Sequence, residues 1–392
     1  MVIKATILYN KLEKLTNQYI TIEDKKITKV SSKAEKFDFE GVVTPAFIDA
    51  HSHIGMFREG EPSKEAEGND KIDQIQPLNN PLNSIYMDDK AFEKSIDFGV
   101  LYSCIVPGSG NLIGGKSVII RHFASHVDKA LFKEYGYKMS LGYNPISTTN
   151  WKGKRPNTRM GTYAMLEDRF DTLLQKEKKE KLNLAKKLYK LEDKKEIEFA
   201  KEEFKLSFTK EERELLNMLS GKVTIKVHAH KEDDILYLIS LVKKYDLKVT
   251  VEHAVDVFNK EVFEKLKENN IPIVYGPLGT GGYKTELKHA SYKNAKALIE
   301  SKAFFGLMSD HPVIHVQNFR DLSKYFLIQG MSETETMALL TYNNAKILEI
   351  DDQLGSIEKD KLASLIVWNK DPFHLGAFPK VVIAEGEILR NI

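Results

Sequence analysis

The chain has 392 residues, more than a typical single domain holds but within the range of an α/β barrel with insertions and a small companion domain. Its 58 Lys and Arg against 56 Asp and Glu leave a formal charge of +2, which argues against a dedicated nucleic-acid or membrane-surface protein and for small-molecule partners. Cys104 is the single cysteine, which excludes an intrachain disulfide and a Cys-rich zinc site; no run of about 18 apolar residues occurs and the first residues lack a signal-like pattern, so a soluble cytoplasmic protein is expected.

Taken in order, residues 2–9, 18–23, 26–30 and 37–43 read as short strands, with Asp24-Lys25 as a hairpin turn and Thr44-Pro45 as punctuation. At the other end, 363–368 and 380–389 are again strand-like, the second broken by a tight turn at Glu385-Gly386. The expectation is a β-sandwich built from both termini, residues 1–44 and 360–392, around a central body at 45–359. Within that body apolar runs alternate with helical patterns at 47–53, 99–107, 117–121, 138–143, 223–228, 248–253, 271–275 and 304–309. Such alternation, with about eight runs, predicts an α/β fold, a (β/α)8 TIM-like barrel. Residues 168–222 differ, being rich in Lys and Glu with Leu182, Leu188, Ile197, Ala200 and Phe204 at roughly helical spacing. They read as a charged helical insertion, either a lid over the barrel mouth or a hairpin with a solvated face.

The run 47–53 ends in His51-Ser52-His53, and side chains alternate along a strand, so both imidazoles leave on one face. An isolated His-x-His is ordinarily a pair of surface or capping histidines. Here His228 and His230 repeat the pattern at the end of another run, His253 ends a third, and Asp310-His311 ends a fourth. Barrel enzymes place their chemistry at the carboxyl ends of strands, and imidazoles with one carboxylate suit a divalent cation. Zn²⁺ fits this donor set, and Fe, Mn or Ni are admitted.

The stretch 110–117, Gly-Asn-Leu-Ile-Gly-Gly-Lys-Ser, fits the GxxxxGK[ST] pattern of nucleotide-binding loops. A phosphate loop opens directly into a helix, whereas residues 117–121 here are β-branched and strand-like. The stretch therefore reads as a glycine-rich loop that could line the active site, where Asn111 or Arg121 could bind a carboxylate.

These residues carry a resemblance. Pro45-Ala46-Phe47-Ile48-Asp49-Ala50-His51-Ser52-His53, Pro107-Gly108-Ser109-Gly110-Asn111, Val227-His228-Ala229-His230, Glu252-His253, Ser309-Asp310-His311-Pro312 and Gly355-Ser356-Ile357-Glu358 make the chain similar to the amidohydrolase superfamily, and within it to imidazolonepropionase-related metal-dependent hydrolases. The resemblance implies a distorted TIM barrel, a β-sandwich from both termini, and a mono- or binuclear metal centre. It carries metal-ligand roles onto His51, His53, His228, His253 and Asp310, with His230 and His311 as substrate contacts. The chain departs from the pattern at Ala46, where relatives usually have Gly, and at Tyr143, where many have an acid. Without that acid one ion is favoured over two; Lys226, and more weakly Lys116, are the candidate bridging lysines.

From such a site the expected reaction is hydrolysis of a C–N bond in a cyclic amide, small amide or dipeptide, with ring deamination by the same water as an alternative. Asp310 is expected to carry the proton, and His253 or His230 to stabilise the oxyanion. The loops at 59–89 and 150–159 are expected to shape the pocket, with Arg155 or Arg159 holding an acidic group. Other readings are a prolidase-like dipeptidase, a catalytically silent barrel and a homo-oligomer, as relatives often form.

Overall fold

The computed structural model describes residues 1–33, 36–280 and 284–392. Strands β1 (Val2–Asn10), β2 (Glu13–Glu23), β3 (Lys26–Ser31) and β4 (Phe39–Pro45) open the chain. The central strands are β5 (Phe47–Ser52), β6 (Val100–Ile105), β7 (Ile113–Arg121), β8 (Leu131–Ser140), β9 (Thr224–Ala229), β10 (Val249–His253), β11 (Ile273–Tyr275) and β12 (Phe305–Leu307). The chain closes with β13 (Leu365–Trp368), β14 (Pro379–Ala384) and β15 (Glu387–Asn391).

The terminal strands form one seven-stranded sheet in the order β15-β14-β13-β4-β1-β2-β3. Alternate residues point to one face. Ile3, Ala5, Ile20, Ile22, Leu365, Val367, Val381 and Ile383 accordingly share one core drawn from both ends of the chain. One small sheet drawn from both termini was expected, and β4 joins the halves by pairing with β1 on one side and with β13 on the other, so hydrogen bonding runs unbroken between them.

Only Ala46 separates β4 from β5, so the terminal sheet leads straight into the eight-stranded barrel sheet, ordered β5 through β12. Helices Lys90–Asp97, Glu232–Tyr245, Lys260–Glu268 and Ala295–Ser301 fill βα connections, each presenting apolar residues to the sheet. Ile48, Ala50, Cys104, Ile119, Val274 and Met308 pack with Ile347 and Leu348 in a core of their own. β7 departs from the (β/α)8 expectation by running antiparallel to both β6 and β8. A parallel crossover needs roughly 10–12 residues or more, and the loop at 106–112 is too short for one, so the chain must turn back. The glycine-rich stretch is therefore a β–β connection, and Lys116 lies within a strand, 2.9 Å from Glu214. No helix follows it, and the nucleotide-loop reading falls.

The sheet edges meet at the carboxyl rim. Asp310 N donates to His51 O and His53 N to His311 O, both at 3.1 Å. Beneath them Asp49, fully buried, accepts from Ser309 N at 3.0 Å, from the Ser309 hydroxyl and from His51 N at 3.3 Å. Burial pushes its carboxyl up to about 7 against these three bonds. Asp49→Ala leaves those donors in a dry environment, and a loss of about 2–4 kcal/mol is expected. Chemical denaturation checks this: a loss no larger than that of Asp49→Asn, which keeps an acceptor, would take Asp49 out of barrel closure.

Three helices, Arg159–Leu188, Lys194–Leu206 and Lys210–Met218, make up the insertion. It begins earlier than the charge pattern suggests because Thr158 caps the first helix, accepting from Gly161 N. Thr162, Leu166, Phe170 and Leu173 bury one stripe, and Phe170 stacks edge-on against Tyr245 of a barrel helix. Among the described residues no helix is long and apolar enough to cross a membrane.

Candidate metal centre

The barrel's carboxyl rim gathers His51, His53, His228, His230, His253 and Asp310. His228 and His230 share a face at the end of β9, and β9 and β10 pair with His228 opposite Glu252. By strand alternation His253 should then face away from Glu252. It does not, because His253 and Ala254 take φ of +76° and +55°, which ends the strand and turns the ring back to the centre. Asp310 is also left-handed, at +53°. Such conformations are costly for residues other than glycine and are held in place by the surrounding packing.

The outer ring nitrogens are taken. His51 Nδ1 lies 2.6 Å from Glu252 Oε2, His53 Nδ1 2.7 Å from Val106 O, and His253 Nδ1 2.9 Å from Gly276 O. Carbonyl and carboxylate oxygens only accept, so these rings carry their proton on Nδ1 and turn the Nε2 lone pair inward, the arrangement of ligating imidazoles. His51 Nε2 and His53 Nε2 lie 3.5 and 3.2 Å from the same Asp310 Oδ1. Lone pairs converging on a carboxylate oxygen repel unless a positive centre lies among them. Two sets of donor atoms, those of each set lying within 4.8 Å of one another, are His51 with His253 and Asp310, and His228 with His230 and His253. Buried His51 Nε2, His228 Nδ1 and His230 Nδ1 lack a hydrogen-bond partner among the described residues. These orphaned atoms and the neutral donor set fit a divalent cation.

Charge supports the same fit. Burial pushes His51, His228 and His230 well below the usual imidazole range and His253 down to about 4. All four are neutral at pH 7, the form that ligates. Burial by itself would raise the Asp310 carboxyl, but the interaction with His53 and the nearby rings of His253 and His51 outweigh it and hold the group well below the usual carboxylate range.

Several groups escaped the sequence reading. Glu252 was legible only as part of Glu252-His253; it orients His51 and lies 3.1 Å from Lys226 Nζ, both side chains being fully buried. Lys226 is thereby held in an ion pair, and Lys116 is outside the site. Lys138, opposite Lys226 on β8, is fully buried too; burial lowers its amine to about 8, and Nζ lies 3.2 Å from Ser140 Oγ. Its spacing of two from Ser140 on a recognised strand was the available signal. Glu286 supplies a carboxylate where Tyr143 lacks one: its Oε2 accepts from Tyr143 N at 2.7 Å, and its Oε1 lies 3.7 Å from His228 Nε2 and 2.7 Å from Lys284 Nζ. Gly142 permits this approach, since at its φ of +78° a Cβ would sit 2.8 Å from Glu286 Oε2. Burial would raise Glu286, but His230 and Lys284 bring it below its usual value.

Four expected substrate contacts lie elsewhere. Because β7 is reversed, Arg121 ends at the opposite rim, where it donates to Glu385 at 2.6 Å and to Leu131 O at 2.9 Å. Arg159 forms a two-pronged bond with buried Asp234 at 2.7 and 3.0 Å. Asn111 donates to Asp70 O and accepts from Arg155 Nη1, so Asn111 and Arg155 brace the loops. The cavity at the centre, about 230 Å³, is lined instead by His53, Asn69, Asn144, His228, His230, Lys284 and Asp310, among others. No described residue of the insertion lines it, which favours the solvated-hairpin reading over a lid. His311 borders a neighbouring cavity.

Glu252→Gln is expected to weaken metal binding about 10- to 100-fold, since the carboxylate fixes the tautomer of His51. Competition against a chromophoric chelator measures it, and unchanged affinity would remove Glu252 from the centre.

With fold and site in view, the class of protein follows. The chain belongs to the amidohydrolase family, whose model matches residues 159–389. Over 100% of both chains it is similar to an amidohydrolase of known structure from Thermotoga maritima MSB8, with a TM-score of 0.89 and 28% identity. A Xaa-Pro dipeptidase with methionine in its active site shares the fold at a TM-score of 0.58 and 15% identity, covering 100% of this chain and 99% of that one. The amidohydrolase tasK of Hapsidospora irregularis is 23% identical over 400 residues, covering 94% of this chain; the chain spans 39% of that relative's length.

Proposed function

We propose that the protein is a metal-dependent hydrolase of a carbon–nitrogen bond in a small molecule, a cyclic amide, a small amide or a dipeptide. The observation that carries this reading is the convergence of three inward Nε2 atoms, each with its Nδ1 tied to an oxygen, beside the Asp310 carboxylate. His51, His53, His228, His253 and Asp310 would hold the cation, most simply Zn²⁺. Bound there, it would acidify a water and polarise the scissile carbonyl. One ion is favoured: His253 belongs to both donor sets, but with Nδ1 bonded to Gly276 O it has a single lone pair to give.

The chain's own groups do the rest. Asp310, ionised at neutral pH and at the edge of the cavity, accepts the proton of the attacking water at a carboxylate oxygen and returns it to the leaving nitrogen. His230 lines the same cavity and is placed to meet the oxyanion. Asn144, held by Ser109 and Lys284, orients the substrate beside His228. Dipeptidase and imidazolone-type ring opening share this chemistry and differ in the group bound away from the scissile bond.

The test is elemental analysis of purified protein together with hydrolysis of a panel of cyclic amides, N-acyl amino acids and dipeptides before and after chelation. About one equivalent of a transition metal and chelator-sensitive turnover are expected. Metal-free protein that hydrolyses the panel at full rate would overturn the reading.

A further inference from the structure

Beside the catalytic cavity lies a second one of about 220 Å³, between the loop at 57–66 and residues 311–315. The two meet at Phe57 and Pro312, which line both. The Phe57 ring lies 5.6 Å from the His53 ring, and Gly68 lets it pack closely, since a Cβ there would fall 2.0 Å from Phe57 Cε2. Small-molecule sites run to about 300–1,000 Å³, a size that neither cavity reaches alone and the two together do. The charges bordering the second cavity are largely paired: Arg58 with Glu61, and Glu59 with Lys94. What remains is mostly apolar, from Phe57, Pro62, Ala66 and Pro312.

Two polar atoms lining the second cavity lack a hydrogen-bond partner among the described residues, Glu59 Oε2 and His311 Nε2, and of these only the second can donate. His311, 1% exposed, accepts from Val316 N at Nδ1, so its proton is on Nε2, and that N–H has no partner among the described residues. A buried donor without a partner is costly, and a ligand that supplies an acceptor relieves it.

We infer that the second cavity is a substrate subsite for an apolar side group, with the His311 N–H meeting a carbonyl of the same molecule. The inference rests on the amide-hydrolysis reading and narrows its substrates to amides carrying an aliphatic or aromatic side chain next to the scissile bond. An amide with no side group fills only the catalytic cavity.

Calorimetry on the metal-loaded protein tests this with N-acetyl-L-leucinamide and N-acetylglycinamide as probes. The leucine probe is expected to bind about tenfold or more tightly than the glycine probe. Ala66→Trp and Ser63→Trp, both on the loop and outside the catalytic machinery, fill the cavity and should remove that preference while leaving the glycine probe unchanged. His311→Phe keeps the bulk, loses the N–H and should weaken the leucine probe about two- to tenfold. Equal binding of the two probes by the unaltered protein, or a preference that survives both tryptophan variants, overturns the inference. Preference for the leucine probe with no turnover of any amide would support the subsite and sink the hydrolytic reading alone.

Discussion

Asp310→Asn is expected to lower turnover by about a thousandfold or more while leaving the fold intact. The carboxylate sits 3.2 Å from His53 Nε2 and 3.5 Å from His51 Nε2, at the edge of the cavity where the attacking water would stand. The amide keeps the shape and one acceptor oxygen but cannot take the proton. Because Asp310 also belongs to a donor set, metal content must be measured on the same sample. Turnover within tenfold of the parent at full metal content would assign proton transfer to another group.

His253→Ala should have the larger effect on the metal. His253 is the member common to both donor sets, and its ring lies 4.3 Å from that of His228, 4.7 Å from that of His230 and 5.2 Å from that of His51. Losing it leaves His51 and His53 with Asp310 on one side and His228 with His230 on the other, with no imidazole joining the two. Bound metal is expected to fall from about one equivalent to near zero, with turnover following. A cation that binds only the native state stabilises it by about 2.7 kcal/mol at a hundred times its dissociation constant. Chelation should therefore lower the unfolding temperature of the parent and leave that of His253→Ala unmoved. A full metal complement in the variant would place the site elsewhere.

How much of this was legible beforehand depends on the range of the interaction. His51 and His53 point the same way because a strand repeats every two residues, and that period is written in seven consecutive positions. Strand ends, turns and the amphipathic stripes of the insertion are equally local. Arg121 shows where such reasoning stops: its type and its place beside a glycine-rich loop suggested a substrate anchor, but the direction of β7 put it against Glu385. Arg159 carries the same lesson, since nothing near it in sequence announces Asp234 as its partner.

The sequence by itself determined the kinds of donor, their position at the carboxyl ends of strands, the alternation that builds a barrel, and the apolar patterns of both termini that meet in one sheet. Each follows from side-chain chemistry and short-range backbone periodicity. The tertiary structure decided which donors converge, through the left-handed turns at His253 and Asp310 and the closure of β5 onto β12. It also decided that Glu286 reaches the Tyr143 backbone and comes within 3.7 Å of His228, and that Lys138 is buried opposite Lys226. Those outcomes depend on contacts between residues up to 260 positions apart, as for Asp49 and Ser309, and such contacts are set by packing and register rather than by local pattern.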